Sequence, residues 1–171
     1  MKILFIVAQE GFQDHEYGKP REILEQAGYE VVIGSKEKGK CVGAFGLEVE
    51  AVVSISEVDV SDYGGVVFVG GPGAYVYQQD VQAHLTAQEA VNRGKVLGAI
   101  CIAPTILAYA GVLEGKKATV WNEDGKQQEV LEKSGATFVD ELVVVDGKIV
   151  TANGPPAAEE FGKKLLEVLK G

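Results

Sequence analysis

Residues 95–104 read Lys-Val-Leu-Gly-Ala-Ile-Cys-Ile-Ala-Pro, and this stretch decides the fold. The strand-length segment Lys95 to Ile100 is apolar from Val96 onward without alternation, the pattern of a strand covered on both faces. Pro104 suits the first turn of a helix, where no intrahelical N–H bond is lost. A buried strand that runs straight into a helix, with Cys101 at the joint, resembles a nucleophile elbow. Such a turn presents the sulfur at the sheet's edge, and the helix N-terminus offers positive potential and free N–H groups that favour thiolate. Gly98, Ala99 and Ala103 are small enough to keep the turn tight. The alternative is a buried structural cysteine, because a free Cys packs as a small hydrophobe. The local pattern leaves both readings open.

Similar strand-length segments recur at Lys2 to Ala8, Tyr29 to Gly34, Gly65 to Val69 and Lys117 to Trp121. Between them lie helix-period segments at Glu16 to Gln26, Val81 to Asn92, Pro104 to Ala110 and Gly125 to Lys133. Gly28, Gly94, Gly111 and Gly135 read as helix stops. Leu47 to Val53 alternates, and Leu142 to Thr151 breaks at Asp146-Gly147, so both read as antiparallel or edge elements, the second with a hairpin turn. A last helix begins at Pro155-Pro156 and buries Ala158, Phe161, Leu165 and Leu169 at helical spacing. Strands alternating with helices predict an α/β fold, a mostly parallel central sheet with helices on both faces. In such a sheet ligands bind beyond the carboxyl ends of the strands. Three loops are singled out by this rule: Gln9 to Tyr17, Gly70 to Tyr77 and the junction at Cys101.

The 171 residues suit one domain, residues 1–171, and no repeat, low-complexity tract or linker divides them. The 22 glycines are well above the average share of about 7%, as expected for many tight turns between short elements. A formal charge of −9 repels nucleic-acid phosphates and anionic membrane surfaces, so no nucleic-acid or membrane partner is expected. The apolar run Ile3 to Ala8 is too short for a signal-peptide core or a membrane span, and a cytoplasmic location is the expectation. Two cysteines cannot build a disulfide framework.

Two further loops carry candidate chemistry. Gly70-Gly71-Pro72-Gly73 follows a buried strand but lacks the third glycine of a dinucleotide fingerprint and the Gly-Lys-Ser/Thr of a P-loop. What remains is a tight turn whose Gly71 N–H could join the Ile102 N–H in stabilising an oxyanion, or simply a turn. Asp14-His15-Glu16-Tyr17 ends the loop after the first strand. If that strand neighbours the one leading to Cys101, a carboxyl group here can reach the sulfur, with its pKa raised by shielding from water. Otherwise Asp14 and Glu16 decorate a helix N-terminus. His15 and His84 are the only histidines, so a Cys-His-Glu triad with a late histidine is not available. No Cys/His cluster has metal-ligand spacing, and no metal or cofactor is expected. His84 reads as solvent-facing in mid-helix, and Cys41 as an unpaired loop thiol.

These signals, in this order, resemble the DJ-1/PfpI superfamily, whose fold is related to class I glutamine amidotransferases. The resemblance rests on the opening strand, the acidic loop with Glu16, the Gly70-Gly71 turn, the Ala99-Ile100-Cys101 elbow and the closing Gly154-Pro155-Pro156-Ala157-Ala158-Glu159-Glu160-Phe161 helix start. It implies a flavodoxin-like three-layer sandwich that forms a homodimer or higher homo-oligomer. It further implies a nucleophilic or redox-active cysteine at Cys101, a protonated glutamate at Glu16 touching it, and an oxyanion pocket from the Gly71 and Ile102 amides. The peptidase-like branch carries a histidine after the cysteine, where this chain has Ile102, and a glutamate after the glycine turn, near Tyr75. Other branches carry a pocket histidine in the region that here reads Val120-Trp121-Asn122-Glu123. His15, Tyr75, Tyr77, Trp121 and Asn122 are the residues expected to line the pocket instead.

The resemblance implies an enzyme acting on small reactive carbonyl compounds, a glyoxalase- or deglycase-type lyase or hydrolase that needs no cofactor. Two alternatives stand beside it. One is a redox-sensing stress or chaperone-like protein in which Cys101 oxidises without turnover. The other is an intracellular peptidase or amidase, disfavoured by Ile102.

Overall fold

Consecutive apolar positions need cover on both faces of a sheet, and the chain supplies it by alternating strands with helices. The computed structural model describes residues 1–171. In chain order the elements are β1 (Lys2–Ile6), β2 (Glu10–Phe12), α1 (Asp14–Gln26), β3 (Glu30–Ser35), β4 (Gly39–Gly43), β5 (Glu48–Ala51), β6 (Val53–Ser54), β7 (Gly65–Phe68), α2 (Val81–Asn92) and β8 (Val96–Ile100). The second half adds α3 (Pro104–Tyr109), β9 (Lys117–Ala118), α4 (Gln127–Lys133), β10 (Thr137–Phe138), β11 (Val143–Asp146), β12 (Ile149–Ala152) and α5 (Ala158–Lys170). Short 3-10 turns at Pro72–Tyr77 and Pro155–Ala157 follow β7 and precede α5.

Seven strands form the central sheet in the order β11-β12-β8-β7-β1-β3-β6. Every neighbouring pair is parallel except β11 with β12. Register places Phe5 beside Ile33 on one side and Val67 on the other. All three point into one core, which α1 and α5 close with Tyr17, Leu24, Phe161 and Leu165. The alternate residues Leu4, Val66 and Leu97 enter a second core covered by Ala83 and Ala87 of α2, Ile106 and Leu107 of α3 and Leu131 of α4. This is the expected three-layer α/β sandwich. Each fully buried Leu, Ile or Phe contributes about 1.5–3 kcal/mol, so the two apolar faces, and not local propensity, hold the helices down. Gly98 lets α5 approach: a Cβ there would sit 2.8 Å from Leu165 and 3.1 Å from Phe161. No helix is long and apolar enough to cross a membrane.

Two expectations need correction. The segment Lys117 to Trp121 joins the central sheet nowhere; only Lys117–Ala118 is strand, paired with β10 in a separate two-stranded sheet. Its next amides bond elsewhere, Thr119 N–H to the Thr151 hydroxyl at 3.0 Å and Trp121 N–H to the Cys101 carbonyl at 2.9 Å. The hairpin at Asp146-Gly147 forms as expected, with β11 antiparallel to β12 at the edge of the sheet and β12 interior beside β8. Cys41 lies in β4, fully buried, and not in a loop. Its strand pairs β2 on one side and β5 on the other, and the glycines around it mask a strand pattern. The condition set for a carboxyl group after β1 to reach Cys101, that β1 neighbours β8, is not met: β7 lies between them.

Candidate functional site

The strand β8 is buried along its whole length and ends at Ile100. Cys101 follows at φ 65°, the only non-glycine residue with positive φ in the chain. A left-handed conformation costs an L-residue roughly 1–2 kcal/mol, so the surrounding bonds must hold it. Cys101 N–H donates to the Ala152 carbonyl at 2.9 Å, its carbonyl accepts from Trp121 N–H, and Ala103 N–H closes the turn on Ile100. Pro104 then opens α3, as the sequence predicts.

The strand between β1 and β8 makes the encounter of Glu16 and Cys101 possible. At the end of β7 the chain reaches Gly70, and a Cβ there would fall 2.6 Å from Cys101 Cβ and 2.5 Å from the Ile100 carbonyl, and closer still to Glu16 Oε1. The space that any other residue would fill is thus occupied by the carboxyl and the cysteine meeting over β7. Gln13 positions the acid. Its N–H donates to the Gly70 carbonyl at 2.9 Å, and its side-chain oxygen accepts from Glu16 N–H at 2.8 Å, capping α1. Gly71 completes the turn at φ 105°, and a Cβ there would press on the backbone at Gly11 and Phe12.

Glu16 is completely buried, and neither carboxyl oxygen has a hydrogen-bond partner of good geometry. An ionised carboxylate so placed is costly. Burial pushes its pKa from 4.5 up to about 8, offset in part by Cys101 and the Gly70 amide. The thiol is pushed up to about 12, first by burial and then by the Glu16 charge, while the Gly71 and Ile102 N–H groups act in the opposite direction. Sequence reasoning expected the helix N-terminus to favour thiolate; α3 is only six residues long, and burial beside a carboxyl group outweighs it. Two anions cannot share this space, so the groups titrate as a pair. The carboxyl gives up its proton before the thiol does, and the two N–H groups at the sulfur lower the cost of shifting the charge onto it when Glu16 takes the proton back.

Cys101 opens onto a cavity of about 430 Å³. Phe45, Pro72, Tyr75, Trp121 and Pro155 give it apolar walls, and Gln13 and Glu123 its polar side chains. Phe45 stands at the rim, 80% exposed, on the β4–β5 hairpin. Asp14 pins that hairpin by accepting from Phe45 N–H at 2.9 Å and Leu47 N–H at 2.8 Å. A second cavity of about 440 Å³ adjoins the first and shares Trp121, Glu123 and Pro155 with it.

Of the residues expected here, Cys101, Glu16, Gly71, Ile102, Tyr75 and Trp121 are brought together. Three are not. His15 is exposed on α1 near Glu159, outside the cavity. Asn122 caps α4, accepting from Gln127 N–H at 2.9 Å and Gln128 N–H at 3.0 Å, and lines only the second cavity. Tyr77 is buried and donates to the Val7 carbonyl at 2.8 Å. His84 does not face solvent freely; its ring bonds the Gln78 carbonyl at 2.6 Å. Thus no imidazole reaches the sulfur. Gln13, Phe45 and Glu123 escaped sequence reasoning. Gln13 alone left a signal, as a polar residue three positions before Glu16 at a helix start. No three His, Cys, Asp or Glu side chains are placed to hold a metal ion.

Comparison with known proteins agrees with this geometry. An uncharacterized protein of Methanocaldococcus jannaschii is 40% identical over 99% of this chain and 81% of its own length. A Pyrococcus furiosus protein named deglycase PfpI is 33% identical over 99% of this chain and 100% of its own. The crystal structure of a ThiJ/PfpI domain protein from Brachyspira murdochii superposes with a TM-score of 0.95 at 32% identity, covering 99% of this chain and 96% of that one. The DJ-1/PfpI family model matches residues 1–168. The chain belongs to the DJ-1/PfpI family.

Proposed function

We propose that the protein is a cysteine-dependent enzyme acting on small reactive carbonyl compounds, in the manner of a glyoxalase or deglycase. The observation that carries this reading is the buried, unpartnered Glu16 carboxyl against Cys101 at the floor of a cavity. A structural acid has no reason to be there, and perturbed acids cluster at functional sites. The deglycase name of the Pyrococcus relative accords with it.

For an α-oxoaldehyde the chemistry balances as follows. The Cys101 thiolate adds to the aldehyde carbon, the carbonyl π electrons move to oxygen, and that oxygen takes the Glu16 proton to give a hemithioacetal. The developing oxyanion lies two bonds from the sulfur at which the Gly71 and Ile102 amides are directed, so these N–H groups are the donors available to stabilise it. Glu16, now carboxylate, removes the proton from the former aldehyde carbon and returns it to the adjacent carbon, while the hydroxyl proton passes from the first oxygen to the second, which leaves a hydroxyacyl thioester. Water cleaves the thioester, releasing a 2-hydroxy acid and restoring the thiol. The sum is addition of one water. Triad peptidase chemistry has no imidazole base in this cavity.

The test is turnover of methylglyoxal to lactate by wild type and Cys101→Ser, each against a buffer control, since methylglyoxal also reacts with free thiols. Lactate formed by wild type and lost in the variant is the expected result. Equal rates in the two proteins would overturn the reading.

A further inference from the structure

Glu123 is the only carboxylate among the residues lining the Cys101 cavity, and no Lys, Arg or His is among them. The adjoining cavity also lacks a cation and adds Asp140. The Trp121 indole N–H donates to Glu123 Oε2 at 2.9 Å, which holds the carboxylate at the seam where the two cavities share a wall. Burial first and the nearby Asp124 charge second raise the Tyr75 phenol, with Lys126 beside Asp124 and outside both cavities. The whole chain carries a formal charge of −9, so no long-range positive field offsets this local one. A molecule bearing a carboxylate must therefore approach the sulfur past a fixed like charge with no counter-charge to meet it. Neutral molecules meet apolar walls, and cations are attracted.

We propose that Glu123 is a charge filter: the cavity admits neutral and cationic electrophiles to Cys101 and rejects those that carry a carboxylate. This rests on the reading of Cys101 as the reacting group and names the substrate class it serves, neutral or amine-bearing carbonyls in preference to oxo acids. Glu123 acts on the approach of substrate and takes no part in bond making, so its removal alters selectivity more than the rate with a neutral substrate.

Alkylation tests the filter without requiring turnover. Cys101 thiolate displaces iodide from iodoacetamide (neutral) or iodoacetate (anionic), forming a thioether and releasing the thiol proton to buffer. Rates at Cys101 are read by peptide mass spectrometry and expressed as a ratio, amide over acid, relative to the same ratio for 2-mercaptoethanol. A single charge across a solvent-open cleft predicts a wild-type ratio roughly three- to tenfold above the reference, shrinking in high salt. Glu123→Gln returns it toward the reference, and Trp121→Phe, which removes the N–H but keeps the aromatic wall, returns it part of the way. Glu30→Gln, at the amino end of β3 on the opposite end of the sheet, leaves it unchanged. Normal iodoacetamide reactivity with a ratio that Glu123→Gln does not move would overturn the filter alone. A sulfur that reacts with neither reagent would overturn the reading of Cys101 itself.

Discussion

Cys101 and Cys41 are both free thiols in one small chain, and both have pKa values raised first by burial. Their surroundings differ in kind. Cys41 sits in a regular strand, fully buried, with Gln9 Nε2 at 3.6 Å and the Gly39 carbonyl at 3.7 Å as its polar neighbours. Cys101 sits at the strained end of a strand, half-buried, with a cavity before it, a carboxyl group beside it and two amides directed at it. Burial alone makes a thiol inert. What distinguishes Cys101 is that its burial is shared with an acid that can hold or release a proton at the same spot.

The largest effect expected from this contrast is on activity. Cys101→Ser should reduce carbonyl turnover by about a thousandfold or more, as removal of a covalent nucleophile does. Cys41→Ala should leave turnover within about twofold while costing about 1 to 2 kcal/mol of stability, the price of a small core cavity. Steady-state kinetics and urea denaturation of the two variants separate these outcomes. A loss of turnover in both would break the contrast.

Glu16→Gln sharpens it next. It keeps the shape and removes the transferable proton, so turnover should fall by about a hundredfold to ten-thousandfold. Stability responds in the other direction. Folded Glu16 holds its proton to about 8, while the unfolded chain releases it near 4.5. The folded state thus binds the extra proton between these values, and the stability it confers is complete below 4.5 and is lost as pH rises through about 8. The slope attributable to this group is at most about 1.4 kcal/mol per pH unit. Denaturation midpoints across that window should fall less steeply with pH in Glu16→Gln than in wild type, and parallel curves would contradict a neutral Glu16.

Gly70→Ala probes the floor on which the two groups meet. Its Cβ would collide with Ile100, Cys101 and Glu16 together, so a loss of about 2 to 4 kcal/mol is expected, as for overpacking of a rigid site. Gly28→Ala, strained by its φ of 94° but with nothing within 4 Å, should cost only about 1 kcal/mol. Asn122→Ala should remove the α4 cap at a similar cost, about 1 kcal/mol, and leave turnover intact. Melting temperatures give this ordering directly.

The architecture was legible in the sequence because each buried strand announces itself by continuous apolar residues and each helix by its period and a stop glycine. The elbow was legible for the same reason, since Val96 to Ile100 must be buried and Pro104 must begin a helix. The meeting of Glu16 with Cys101 was legible only conditionally. The reach of Glu16 to the sulfur was tied to adjacency of their strands, whereas β7 separates them and the contact depends on the missing side chain of Gly70. No periodicity encodes such a gap. The misplacement of Asn122 and Tyr77 has a similar origin: a polar or aromatic residue near a site in sequence can serve a helix end or the core, and only the fold decides. Phe45 and Glu123 were missed because they lie in loops, where hydrophobic pattern carries no information about which way a side chain faces.

The central claim is that the sulfur and the carboxyl form one proton-sharing unit, and the pH dependence of iodoacetamide alkylation at Cys101 tests it most directly. In wild type the carboxylate formed above about 8 opposes the thiolate, so the rate should keep rising toward the thiol's own high value, about 12. In Glu16→Gln that opposing charge is gone, so the rise should move to lower pH by at least about one unit, the coupling at which two groups cease to titrate independently. Superimposable profiles in the two proteins would show that the thiol does not sense the carboxyl group, and the account of the site would be wrong.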